Sequence, residues 1–208
     1  MTDGRSNRKA KVLPFISRIE QDKSANLHKL VQKAKLMKLE GFEATTWKDS
    51  SWSITGGRLI RLTGKNTNAS SFNFNLSPKL GGHPLCNVWA EVTKALYILR
   101  FHRKHKAAPN QRNFITAISY VEYAASELGL PLMQLTPEAL DKACTLATRH
   151  YSEGVAYNLH KHIAEFAGHC DANGICRVLL QYKFAKMKRP SNTGGSNHKR
   201  LDDPTVLE

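Results

Sequence analysis

The sequence predicts a mainly α-helical protein: a four-helix bundle preceded by a small region of one helix and short β-strands. Two observations carry that prediction. Apolar residues recur at helical spacing in four consecutive stretches between Leu85 and Gly174, each bounded by turn residues. Before them, a stretch rich in Gly, Ser, Thr and Asn shows apolar residues that alternate instead, which is the period of strands. A third observation bears on function: Lys and Arg number 31 against 17 Asp and Glu, a formal net charge of +14. Such an excess favours a polyanionic partner, nucleic acid or an acidic membrane surface.

Composition bounds the class. A chain of 208 residues with 41% hydrophobic residues can bury a real core, so a disordered tail is excluded. The N-terminus "MTDGRSNRKAKVLPF" is basic without the apolar run of a signal peptide, and no stretch has the length of a membrane span. The expected location is therefore the cytosol, with no membrane partner. Cys86, Cys144, Cys170 and Cys176 are too few and too unevenly spaced for a secreted disulfide framework and are read as reduced thiols.

Residues 1–23 are expected to form a basic arm, its flexible part ended by Pro14. Residues 24–82 form the N-terminal helix and β-containing region. "SANLHKLVQKAKLMKLEG" sets Leu27, Leu30, Val31, Ala34 and Leu39 at helical spacing, with lysines at 29, 33, 35 and 38 and Gly41 as stop. The following "TTWKDSSWSITGG" to "SPKLGGHP" alternates in "RLIRL" and "FNFNL", giving short strands joined by turns; Gly81, Gly82 and Pro84 form its exit.

The bundle is expected over residues 83–182. In its first helix Val88, Val92, Leu96 and Leu99 form an apolar stripe, and Lys94, Tyr97, Arg100, Phe101 and Lys104 fall on the other side. The helix ends in "ILRFHRKHK" before the turn "AAPNQ". The second helix, from about Arg112 to Leu128, buries Phe114, Ile118, Val121, Ala125 and Leu128, and Gly129 and Pro131 stop it. The third opens with Thr136 as N-cap, Pro137 at the first helical position and Glu138 at the positive end of the dipole; Leu140, Cys144, Ala147 and Tyr151 point inward. The fourth starts at Ser152, carries Val155, Leu159, Ile163, Phe166 and Cys170 along one side, and ends at "DANG". Residues 183–208 form a basic linker, polar and glycine-containing, whose last residues "LDDPTVLE" resemble a helix start leading to a further domain.

The runs "PLCNVWAEVTKALYILRFHRKHKAAPNQRNFITAISYVEYAA" and "LTPEALDKACTLATRHYSEGVAYNLHKHIAEFAGHCDANGI", with the basic linker to "HKRLDDP", resemble the N-terminal half of a tyrosine recombinase. The likeness spans about residues 45 to 205 and is similar to integrases of mobile elements with a long N-terminal region, including the stretch at Trp47 and Trp52. It implies that the four-helix unit is a SAM-like core-binding domain, one arm of a clamp around DNA. It implies double-stranded DNA as partner, further recombinase subunits on that DNA, a nucleoid-associated cytoplasmic location, and neither a cofactor nor a small-molecule substrate. Catalytic arginines, lysine, histidine and nucleophilic tyrosine would lie in a second domain. This chain departs from the family there: no His-x-x-Arg occurs in it, and nothing after the linker supplies the other catalytic positions. Cleavage by a tyrosine needs cations clustered around the scissile phosphate. The expectation is a chain that holds DNA and has no catalytic residues.

The candidate DNA contacts are Lys94, Arg100, Arg103, Lys104, Lys106 and Arg112 around the first two bundle helices, Arg149 and His150 at the end of the third, Lys161 on the fourth, and Lys183, Lys186, Lys188, Arg189, Lys199 and Arg200 in the linker. Lysine and arginine on rigid helices suit phosphate contacts. The same cations could form a solvated helix face, Arg149 and His150 could serve only the helix dipole, and the linker could be a solubilising tether. Tyr97 and Phe101 are read as packing residues. A metal site built from His160, His162, His169, Cys170 and Cys176 is weighed and set aside, because the cysteine spacing is not that of common zinc sites and no second cysteine pair exists. A stand-alone nucleic-acid-binding or regulatory protein is the alternative to the recombinase half, and a metal-dependent nuclease or relaxase the third class.

Overall fold

The computed structural model describes residues 13–37, 46–53, 71–104 and 108–178, with side chains described at 22–37, 46–52, 73–100 and 112–178. The protein is mainly helical. Helix α1 spans Leu13–Lys35, so the helix starts well inside the segment expected as an arm. Proline in the first turn explains the early start: Pro14 lacks only an N–H that has no intrahelical partner there, and its fixed φ suits the helix. Leu27, Leu30, Val31 and Ala34 are buried as their spacing requires; Leu39 and Gly41 lie outside the described residues.

Strands β1 (Ser51–Ser53) and β2 (Ser71–Asn73) pair antiparallel, with Trp52 opposite Phe72. Of the "FNFNL" stretch only the first half is strand, and "RLIRL" lies outside the described residues. The hairpin's inward side chains, Trp52 and Phe74, meet edge to face at 4.9 Å, and both meet Tyr97, at 6.0 and 6.5 Å. A 3-10 turn at Pro78–Leu80 follows, closed by Gly81 in the left-handed region at φ 100°.

Among the described residues four α-helices follow, α2 (Asn87–Lys104), α3 (Ala108–Glu127), α4 (Pro137–His150) and α5 (Glu153–Ala172), with a 3-10 turn at Leu132–Gln134 between α3 and α4. Helix α3 begins ahead of the expected Arg112, because Ala108 to Gln111 form its first turn, with Pro109 placed where a missing N–H costs nothing. It ends as expected: Gly129, at φ 67°, lets Leu130 N–H donate to the Ala125 carbonyl at 2.9 Å. Thr136 caps α4, its hydroxyl accepting from Ala139 N–H at 3.4 Å. On α5 Leu159, Ile163, Phe166 and Cys170 are buried, but Val155 is 38% exposed: in the first turn Ala156 takes the inward position.

Helix α3 packs on both α4 and α5, α4 on α5, and α1 on α2. Trp89 stacks on Phe166 at 5.9 Å and so joins α2 to α5. One continuous apolar core runs from Leu27 to Val178, so the compositional boundary at residue 82 does not divide the core. The expected single stripe on α2 is corrected by the same packing. Val88 is 38% exposed and Leu99 half-buried, whereas Tyr97, assigned to the open side, is fully buried. The reason is coverage from two sides: α1 and the hairpin close over the face that sequence periodicity leaves to solvent. Among the described residues no helix is long and apolar enough to cross a membrane.

Candidate nucleic-acid interface

The cations fall into two groups, and the division follows from what each one touches. Lys94, expected on an open face, is 5% exposed. Its Nζ donates to the Trp47 carbonyl at 2.7 Å and sits over the rings of Phe74 (5.3 Å) and Trp52 (5.9 Å). Desolvation pulls its pKa below the ordinary lysine value, opposed by Glu91 and Asp49. Lys94 is thus a tie between α2 and the hairpin, and the correction has a plain cause: an ammonium can be buried where a carbonyl and aromatic faces replace water.

Arg100 is corrected in the same way. It is 3% exposed, with its Nε 2.9 Å from Glu165 Oε1 and its Nη2 3.0 Å from Oε2, a two-pronged pair joining α2 to α5. Its guanidinium lies 4.5 Å from the Phe114 ring centroid on α3. His162 Nδ1 completes the cluster, 3.1 Å from Glu165 Oε2 and 3.3 Å from Arg100 Nη2. Arg100 therefore ties three helices together and presents nothing to solvent.

His150 is half-buried and held by partners. Its Nδ1 lies 2.8 Å from the Tyr120 hydroxyl, and its carbonyl accepts from Lys79, whose ammonium caps the Tyr151 ring at 4.1 Å. Burial, first, and the neighbouring Tyr151, second, push the Tyr120 phenol upward. The choice left open for the end of α4 resolves into two different residues: His150 is structural, and Arg149 beside it is exposed.

Lys161 is exposed on α5, and neither it nor Arg149 has a carboxylate in ion-pair reach among the described residues. Arg112 is exposed in the first turns of α3 and lines a cleft of about 430 Å³ with Asn73, Asn75, Ser77, Ile115 and Thr116. The side chains of Arg103, Lys104 and Lys106 lie outside the described residues, as do Lys183, Lys186, Lys188, Arg189, Lys199 and Arg200. Sequence reasoning passed over Lys29, Lys33, Lys48 and Arg177, all exposed. For the first two the signal is present in the lysines of an acid-free segment from Lys23 to Leu39, a cationic helix whose lysines are absent from the candidate contacts.

The histidines and cysteines weighed as metal ligands diverge. His160 and His162, two residues apart on a helix, face different neighbours. His160 Nε2 reaches the Cys144 carbonyl at 2.9 Å, and since a carbonyl only accepts, that nitrogen carries the proton. Cys170 and Cys176 are buried together where the chain turns after α5; the hydrogen bond to Cys176 and burial hold the Cys170 thiol well above its ordinary pKa. Among the described residues no three His, Cys, Asp or Glu side chains gather as a metal site.

Glu122 is a further buried ionisable group, at 7% exposure. Its Oε1 accepts from Cys86 N–H at 2.8 Å, just before α2 begins, and its Oε2 has no hydrogen-bond partner among the described residues. Burial raises its pKa to about 7, only partly offset by the Cys86 bond. Compared with known proteins, the chain matches no family model, no curated protein and no solved structure.

Proposed function

We propose that this chain binds double-stranded DNA as the core-binding half of a site-specific tyrosine recombinase, holding the duplex while the cleavage chemistry belongs to another domain. In this reading α2 to α5 form the SAM-like bundle, recombinase subunits associate on the DNA, and the protein works in the cytoplasm at the nucleoid. The observation that carries the DNA-binding part is the pair Arg149 and Lys161: exposed cations on packed helices, with no carboxylate in ion-pair reach among the described residues, in a chain of net charge +14. Rigidly mounted, uncompensated cations are what phosphate contacts require. The sequence resemblance supplies the recombinase part, and the absence of His-x-x-Arg supports holding over cutting.

The test is fluorescence anisotropy of a labelled 30-base-pair duplex over a range of salt. Binding should weaken as salt rises, with a log–log slope of about −0.9 per phosphate contact. Replacing Arg149 and Lys161 with Ala should make that slope shallower by about 2. A wild-type chain that leaves the duplex unbound at low salt would refute the reading, and strand cleavage by the purified chain would refute its non-catalytic part.

A further inference from the structure

A second cationic surface lies on α1. The apolar residues of this helix, Leu27, Leu30, Val31 and Ala34, are buried against the core, so its opposite face presents His28, Lys29, Gln32 and Lys33 to solvent. No Asp or Glu occurs from Lys23 to Leu39. Like charges four residues apart destabilise a helix by about 0.2–0.5 kcal/mol, and Lys29 and Lys33 stand in that relation with nothing on the helix to relieve it. The other described lysines of α1 have structural partners. Lys23 donates to the Met133 carbonyl at 2.8 Å, and Lys35 lies 3.4 Å from Glu91 and over the Trp47 ring at 5.1 Å. Lys29 and Lys33 have no carboxylate within ion-pair distance among the described residues.

The position of the helix adds a second argument. Asn26 Nδ2 donates to the Gly174 carbonyl at 3.2 Å, which holds the middle of α1 against the end of α5. Exposed Arg177 follows three residues later and opens a second stretch without acids, running to Leu201. Two acid-free cationic stretches therefore start from one place in the fold. An acidic membrane would favour a helix with a free apolar face to insert, but the apolar face of α1 is already taken up by the core. A phosphate backbone asks only for cations. Lys29 and Lys33 are separated by a rise of about 6 Å, on the scale of neighbouring phosphates, one per about 3.4 Å of axis on each strand.

We infer that the outer face of α1, centred on Lys29 and Lys33, is a contact surface for the phosphate backbone of duplex nucleic acid. It rests on the duplex-binding reading above and adds a surface separate from Arg149 and Lys161. Each phosphate contact with a slope of about −0.9 contributes about eightfold to affinity at 0.1 M salt relative to 1 M. The variant Lys29→Gln/Lys33→Gln should bind the 30-base-pair duplex about 60-fold more weakly at 0.1 M salt, with a slope shallower by about 2.

The charge-matched control is Lys79→Gln/Lys142→Gln, which removes two cations already occupied by His150 with Tyr151 and by Glu127. Circular dichroism establishes that both variants are folded. A control that loses as much affinity as the α1 variant would reduce the effect to net charge and overturn the inference. So would an α1 variant with unchanged slope, or one that loses binding to phosphatidylserine vesicles while duplex binding persists. A wild-type chain that fails to bind duplex removes the DNA-binding reading itself, and the surface with it.

Discussion

Glu122 makes the stability of this protein depend on pH in a direction opposite to that of most carboxylates. Its folded pKa, about 7, stands above the reference value of 4.5, and burial is the leading cause. A raised folded pKa means that the folded state prefers the protonated acid. Stability from this group is complete below pH 4.5 and is lost as pH rises through 7. The separation of the two values corresponds to a loss of about 3 kcal/mol between acid and pH 8, at about 1.4 kcal/mol per pKa unit. Against a typical stability of about 5–15 kcal/mol that is a large share. The perturbation is Glu122→Gln, which keeps an oxygen to accept the Cys86 N–H and removes the charge. Urea unfolding followed by circular dichroism at pH 5, 6, 7 and 8 should show the advantage of the variant over wild type growing from less than about 1 kcal/mol at the acid end to about 3 kcal/mol at the alkaline end. Other groups, including Asp49 with its pKa lowered by the Thr46 hydrogen bonds, titrate alike in both proteins and cancel in the difference. A difference that stays constant across this range would refute the reasoning, because it would mean that the carboxyl is equally solvated in the folded and unfolded chains.

Arg100→Met should cost about 1.5–3 kcal/mol in urea unfolding, since it removes the charge-assisted bonds to Glu165, which keeps His162 as partner, and should leave the salt slope of duplex binding unchanged; a slope shallower by one contact would return Arg100 to the surface. Lys94→Met keeps the stem and removes the ammonium, so the Trp47 carbonyl loses its donor; a destabilisation of about 1–2 kcal/mol is expected, read as a lower urea midpoint. Gly174→Ala forces a left-handed residue to carry a Cβ placed 2.8 Å from Asn26 Nδ2, so α1 should loosen from α5, seen as faster amide exchange at the Asn26 end of α1 with α3 unchanged.

The helices were legible in the sequence because each announces itself locally. The apolar period of α3 and α4, the Thr136 cap, Pro137 at the first position and the left-handed Gly129 all act within a few residues, so no distant contact is needed to recognise them. Excess positive charge is likewise additive and belongs to the composition alone. The errors arise where a second layer covers an element. Periodicity assigns α2 one apolar face, and a helix wheel then leaves Lys94, Tyr97 and Arg100 to solvent. The hairpin's Trp52 and Phe74, together with α1, cover Tyr97 and Lys94, while Glu165 on α5 and Phe114 on α3 enclose Arg100.

Burial of a lysine or arginine depends on partners brought from 47 and 65 residues away in the chain, and no local pattern encodes such partners. The same holds for Glu122, whose raised pKa comes from the surroundings that α2 and α3 create together. From sequence alone, then, come the helices, their ends and the excess positive charge, since these depend on local geometry and on sums. Which cations stay exposed and which are buried is decided by tertiary packing, because a charge stays in water only where the fold provides it no partner.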